Sequence, residues 1–121
     1  MKLLMLKGLP ASGKSTYARK LTQSGYVRVN KDDLRQMLND GKWSSINEKR
    51  ILHFRDRIIG RSLDDGCSVV IDDTNFAPQH ESRLKELAKL HNATFDTKFF
   101  DTPVEECIRR DNKRANGVGA K

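Results

Sequence analysis

The sequence is poor in the residues that staple a chain or thread it through a membrane. It holds two cysteines, Cys67 and Cys107, forty positions apart and outside any C-x-x-C unit. Neither a zinc site nor a redox pair is expected from them, and both read as reduced core thiols. The three histidines, His53, His80 and His91, lack ligand spacing, which argues against a resident transition metal. No Pro/Gly/Ser-rich linker, low-complexity tract or internal repeat interrupts the chain, so it reads as one continuous unit. No apolar run approaches the roughly eighteen residues of a membrane span. The opening LLML is too short for the apolar part of a signal peptide. A cytoplasmic protein without a membrane partner is expected.

What is present suits a single domain. The 121 residues suffice for one core, with 36% hydrophobic and 32% charged residues, a balance typical of a globular chain with a highly charged surface. The formal net charge of +7 favours a polyanionic partner, since Lys and Arg gain by releasing counterions from a phosphate backbone.

Four short β-prone runs stand out: KLLMLKG (2 to 8), YVRVN (26 to 30), CSVVID (67 to 72) and TFDTKFF (94 to 100). Each is followed by a helical pattern. Ala18 and Leu21 share a face after Lys14, and Leu34, Met37 and Leu38 have helical spacing. Over 45 to 64, Ile51, Phe54, Ile58 and Ile59 form one stripe, leaving Arg50, Arg57 and Arg61 as a solvated face. Leu84, Leu87 and Ala88 mark a helix from Pro78 to His91, with Asn92 as its stop. Thr102 and Glu105 form a capping-box pattern for a last helix with Pro103 at its first position. The order β-α-β-α-α-β-α-β-α predicts an α/β fold with a central parallel sheet of about four strands flanked by helices. Ligands of such folds bind at the carboxyl ends of the strands.

The segment after the first strand, GLPASGKS, matches G-x-x-x-x-G-K-[ST] between a predicted strand and a predicted helix. Gly8 and Gly13 let the backbone turn its N–H groups inward, and the helix N-terminus adds partial positive charge for a polyphosphate. Gly8, Pro10, Ala11, Ser12, Gly13, Lys14, Ser15 and Thr16 are the expected nucleotide-binding residues. Lys14 suits the β and γ phosphates and Ser15 a magnesium ion. ATP and Mg²⁺ are the cofactors so implied.

Two adjacent aspartates follow the second strand in VNKDDLR. Asp33, three residues before Gln36, has the spacing of a helix cap. Asp32 is left to face the cleft, where a carboxylate orients an attacking hydroxyl and takes its proton. Arg35, one turn on, suits clamping an anionic group of the acceptor, although a local surface pair with Asp32 has the same spacing. At the end of VVIDDTN, Asp72 or Asp73 is a candidate magnesium ligand. Thr74 and Asn75 suit either acceptor contacts or an Asx-type turn. Arg109, Arg110, Lys113 and Arg114 crowd the end of the last predicted helix, favoured there by its dipole. Arg110 and Arg114 share a face and suit a lid over the migrating phosphoryl group.

In order and spacing, GLPASGKST, VNKDDLRQ, IDDTN and FFDTPVEECIRRDNKR resemble the kinase domain of bacteriophage-type 5'-polynucleotide kinases over most of the chain. The resemblance implies transfer of the ATP γ-phosphate to the 5'-hydroxyl end of DNA or RNA. Lys14 and Ser15 would hold ATP and magnesium, with Asp32 as general base. Arg35 would contact the phosphate next to the accepting nucleoside, Asp73 would complete the site, and Arg110 with Arg114 would act from the lid. One kinase domain over residues 1 to 121 is expected, lacking the further helix with which that family continues past NGVGAK. Two other readings share the phosphate loop: a P-loop kinase of a small alcohol or nucleoside, and a non-catalytic nucleotide-binding switch.

Overall fold

The computed structural model describes residues 1–9, 11–73, 77–101 and 109. Strand β1 (Lys2–Lys7) leads through the glycine-containing loop into helix α1 (Lys14–Thr22), then β2 (Val27–Val29), α2 (Lys31–Asn39), α3 (Ser45–Asp64), β3 (Val69–Ile71), α4 (Pro78–Leu90) and β4 (Thr94–Phe99). All pairings in the four-stranded sheet are parallel, in the order β2-β3-β1-β4. The two central strands are buried on both faces, as parallel strands covered by helices must be.

Side-chain alternation along the strands divides the core into two layers. Leu3, Met5, Val69 and Ile71 point to one face and pack with Ile51, Ile59 and Leu63 of α3 and with Leu84, Leu87 and Ala88 of α4. Leu4, Leu6 and Val70 point to the other and meet Ala18 of α1, with Tyr17, Leu21, Tyr26 and Phe100 around them. Asn92 takes a left-handed φ of 57° just past α4, which ends the helix as its short polar side chain permits.

Two helical stripes are only partly covered. On α2, Leu34 is buried while Met37 and Leu38 are exposed, and on α3 Phe54 is exposed although Ile51 and Ile59 are fully buried. The cause is positional, because α2 packs chiefly on α3 and not on a strand. Arg50, Arg57 and Arg61 face solvent as their spacing predicts. Arg55 does not, being 1% exposed.

The last helix predicted from Thr102, Cys107 within it, and the site candidates Pro10, Thr74, Asn75, Arg110 and Arg114 lie outside the described residues.

Candidate active site

The phosphate loop leaves the carboxyl end of β1 and closes on itself. Ser12 N–H donates to the Leu9 carbonyl at 3.1 Å, and Tyr17 N–H to that of Gly13 at 3.0 Å, starting α1. Gly13 has φ 106°, a conformation that glycine adopts freely, and Ala11 takes a left-handed φ of 63°. Gly8 answers a different need, since a Cβ there would lie 2.7 Å from Ser12 Oγ and 3.0 Å from Phe100 Cβ. Phe100 follows β4, donates its N–H to the Lys7 carbonyl at 2.8 Å, and stacks edge-on with Tyr17 at 5.6 Å. That buttress of the loop carries no sequence signature and was not anticipated.

The start of α1 has no side-chain cap and no acidic residue in its first turn, so nothing acidic within the helix opposes an incoming anion there. Lys14 is nearly buried and its Nζ donates to the Leu9 carbonyl at 3.1 Å, laying the ammonium across the loop. Ser12 is buried, Ser15 half-buried and Thr16 exposed.

Register brings the other strand ends beside this loop. Met5 pairs with Ile71, so Gly8 and Asp73 lie three and two residues beyond a matched pair on neighbouring strands, spaced by about 4.8 Å. On the other side of β3, Asp72 N–H donates to the Val29 carbonyl at 3.0 Å, and Asn30 Nδ2 donates to the Asp72 carbonyl. Lys31 N–H donates to Asp73 Oδ1 at 2.8 Å. The segments Val29 to Lys31 and Ile71 to Asp73 are thus one hydrogen-bonded shelf.

The cap assignment for Asp33 is corrected by this shelf. The chain turns into α2 directly from β2, so Asn30, still extended at φ −139°, is the cap, and its Oδ1 accepts the Asp33 N–H at 2.9 Å. Asp33 lies within the first turn and pairs with Arg28 at 2.8 Å.

Asp72 and Asp73 face opposite ways. Continuing the alternation, Asp72 falls with Val70 on the α1 face and Asp73 with Ile71 on the α3 and α4 face. Asp72 is 1% exposed; its Oδ2 accepts from Arg28 Nε and Nη2, both at 2.9 Å, while its Oδ1 has no partner. An orphaned buried carboxylate oxygen on the face that carries Ser15 fits a hard cation such as Mg²⁺. Asp73 keeps Oδ2 without a partner, and burial raises its pKa against the bond from Lys31. Lys31, buried beside it, has a pKa lowered by burial, and so has His80 in the first turn of α4.

Asp32 lies on the rim, its side chain 72% exposed and paired with Arg35 Nη1. Arg35 is held by two further bonds to Glu48 of α3, Nε to Oε2 at 2.6 Å and Nη2 to Oε1 at 2.8 Å. These bonds raise the pKa of Arg35 and hold that of Glu48 below the usual carboxylate range. Asp32 and Arg35 are near enough to Asp73 to affect its charge or be affected by it.

Glu48, Lys31 and Arg55 were not singled out from the sequence. Lys31 alone had a signal, its place inside NKDD at a strand end. Arg55 bonds Asp56 Oδ1 through Nε and Nη2 at 3.1 and 3.0 Å, and its Nη1 is buried without a partner.

Comparison with known proteins gives consistent results. Residues 3–120 match the family described as an AAA domain. A protein of Autographa californica nuclear polyhedrosis virus, named a bifunctional polynucleotide kinase/RNA ligase, is 30% identical over 94% of this chain and 18% of its own length. A chain of the Pnkp1/Rnl/Hen1 RNA repair complex superposes with a TM-score of 0.84 at 36% identity, over 98% of this chain and 39% of that one. The Mycobacterium tuberculosis APS kinase CysC, solved with AMPPNP and APS, superposes with a TM-score of 0.71 at 28% identity, over 93% of this chain and 69% of that one. The chain therefore spans well under half the length of the polynucleotide kinase relatives it matches.

Proposed function

This chain belongs to the AAA domain family, and with its cleft as the starting point we propose that it is an ATP-dependent 5'-hydroxyl polynucleotide kinase. The observation that carries the reading is the acceptor wall: Asp32 and Glu48 together orient Arg35, one turn into the helix that starts at the shelf. A carboxylate next to an oriented guanidinium suits an acceptor that presents a hydroxyl and, close by, a phosphate. The similarity to a polynucleotide kinase/RNA ligase and to Pnkp1 supports that class of acceptor.

In the proposed reaction the amides of Gly8 to Ser15, with Lys14, bind the β and γ phosphates of ATP. The 5'-oxygen of the acceptor forms a bond to the γ phosphorus as the bond to the β-bridging oxygen breaks, and ADP leaves. Asp32 accepts the hydrogen bond of the 5'-hydroxyl and takes its proton late, because the transition state is loose. Arg35 holds the phosphate beside the accepting nucleoside, with Asp73, Thr74 and Asn75 completing that side. Ser15 and Asp72 Oδ1 would hold Mg²⁺, which supplies positive charge against the polyphosphate when bound. Arg110 and Arg114 would supply positive charge to the migrating group.

The test is transfer from labelled ATP to 5'-hydroxyl DNA and RNA oligonucleotides by the wild type and Asp32→Asn. The variant is expected to lose about 10²- to 10⁴-fold in rate while binding ATP normally. ATP binding without transfer by either protein sinks the reading in favour of a nucleotide-binding switch. The APS kinase similarity favours a second reading, transfer to a small alcohol. Oligonucleotides would then fail to compete with the true acceptor, whereas a polynucleotide kinase shows competition that weakens steeply with salt.

A further inference from the structure

The single tryptophan of the chain, Trp43, is 69% exposed on the turn joining α2 to α3. The turn is fastened on both sides. Asp40 and Gly41 take left-handed φ values of 52° and 77°; Gly41 N–H donates to the Arg35 carbonyl at 3.0 Å, and Lys42 N–H to that of Asn39 at 3.0 Å. Beyond it, Ser44 caps α3 by accepting the Asn47 N–H at 3.0 Å. A large aromatic ring is therefore presented to solvent by ordered backbone, at a cost in exposed apolar area that folding does not recover.

Its place relative to the cleft is fixed by α3. Glu48, in the first turn of α3, bonds Arg35 of α2 through two contacts at 2.6 and 2.8 Å, which ties the start of α3 to the helix that leaves the shelf. The end of α3 leads into the start of β3, at the opposite edge. The first ten residues of α3 thus form an arm directed toward the carboxyl edge, where the cleft lies. Glu48, on this arm, grips Arg35, and the turn bearing Trp43 begins with a bond to the Arg35 carbonyl. Five of the eight exposed large hydrophobic residues among those described, Met37, Leu38, Trp43, Ile46 and Phe54, lie on α2, this turn and the arm. Lys42, Lys49 and Arg50 are exposed on the same stretch and form no salt bridge among the described residues.

We propose that Trp43 is a stacking platform for a nucleobase of a single-stranded acceptor, downstream of the terminal nucleotide, with Lys42, Lys49 and Arg50 drawing in its backbone. This rests on the polynucleotide kinase reading. With the 5'-hydroxyl at Asp32 and the first phosphate at Arg35, the continuing strand leaves the cleft past the Arg35 carbonyl and the start of α3, where Trp43 stands. An unpaired base offers a π-face to an aromatic ring regardless of its identity, and neighbouring cations complement the phosphates. Bases inside a duplex have no free face, so the platform selects single-stranded ends.

The test uses the full chain and two acceptors, a short 5'-hydroxyl oligothymidylate and a nucleoside 3'-monophosphate. Trp43→Ala is expected to raise the KM for the oligonucleotide about 5- to 150-fold, the equivalent of one stacked base, with kcat retained. Trp43→Phe keeps most of the affinity, and the mononucleotide KM does not change in either variant. An oligonucleotide abasic beyond its first position erases the difference between wild type and Trp43→Ala. In the wild type, oligonucleotide binding quenches the fluorescence of this one tryptophan. Wild-type KM in Trp43→Ala with transfer intact overturns the platform and leaves the kinase reading standing. Absence of transfer to both acceptors overturns the kinase reading and the platform with it. Trp43 emission that shifts with protein concentration but not with oligonucleotide assigns the surface to a second copy of the chain, and likewise overturns the platform.

Discussion

Replacing Glu48 by Gln tests the acceptor wall most directly, because it keeps the shape of the side chain and removes the charge that orients Arg35. The two bonds from Arg35 are charge-assisted, at 2.6 and 2.8 Å, between side chains 20% and 21% exposed. Hydrogen bonds to charged groups contribute roughly 1.5–3 kcal/mol and exposed ion pairs under about 1, so this largely covered fork falls between, at about 1–2 kcal/mol. Thermal unfolding of Glu48→Gln should shift down by about 2–12 °C. If Arg35 binds the acceptor phosphate, the KM for an oligonucleotide should rise about 5- to 30-fold while ATP affinity holds, since the phosphate loop lies on another strand. The pH dependence follows from the sign of the Glu48 shift. Its folded pKa lies below the ordinary 4.5 because Arg35 donates to it. Its contribution is therefore full above 4.5 and disappears as pH falls through the lower folded value. The stability gap between wild type and Glu48→Gln should close in that acid window. A gap that persists unchanged there, or no gap at neutral pH, refutes the reasoning.

Gly8→Ala forces a methyl to 2.7 Å from Ser12 Oγ and 3.0 Å from Phe100 Cβ. It should cost about 1–3 kcal/mol in urea unfolding and weaken ATP binding in a nucleotide titration; wild-type ATP affinity would count against the packing of Phe100 on the loop. Arg28→Met leaves the 1%-exposed Asp72 without its counter-charge and should cost about 3–5 kcal/mol, much of it recovered in the double variant with Asp72→Asn. No recovery in that cycle would mean that Arg28 acts through Asp33 instead. Leu84→Ala, a fully buried contact of α4 with the sheet, should cost about 2–5 kcal/mol by the same measurement.

The strands and the phosphate loop were legible because their signals are local. β-prone runs bounded by turns and a G-x-x-x-x-G-K-S spacing require nothing from distant residues. All four predicted runs contain the observed strands, and the helices from Lys14, over 45 to 64 and from Pro78 follow their spacing. Reading failed where a neighbour decides. Asp33 has the spacing of a cap, but Asn30 takes that role because β2 runs straight into α2. Met37 has core periodicity, but α2 packs chiefly on α3, which leaves Met37 exposed. Arg55 resembles the other arginines of α3 in type, but the fold buries it, where it bonds Asp56. Glu48 is thirteen residues from Arg35, a separation at which no periodicity couples side chains.

The cleft divides its carboxylates among a few cations, and that division bears on how acceptor binding and chemistry are linked. Arg28 joins Asp33 to Asp72, Lys31 lies against Asp73, and Arg35 joins Asp32 to Glu48. Glu48 takes two bonds and is the less exposed partner of Arg35, whereas Asp32 takes one bond at the rim and is 72% exposed. An anion arriving at Arg35 meets least resistance by displacing Asp32, because the fork to Glu48 presents two bonds to break and the Asp32 pair only one. In the proposed reaction the acceptor phosphate would then release the Asp32 carboxylate as it docks, leaving it next to the hydroxyl it is to orient. An acceptor without a phosphate would leave Asp32 tied to Arg35, so a nucleoside should be a poorer acceptor than its 3'-monophosphate in kcat as well as in KM.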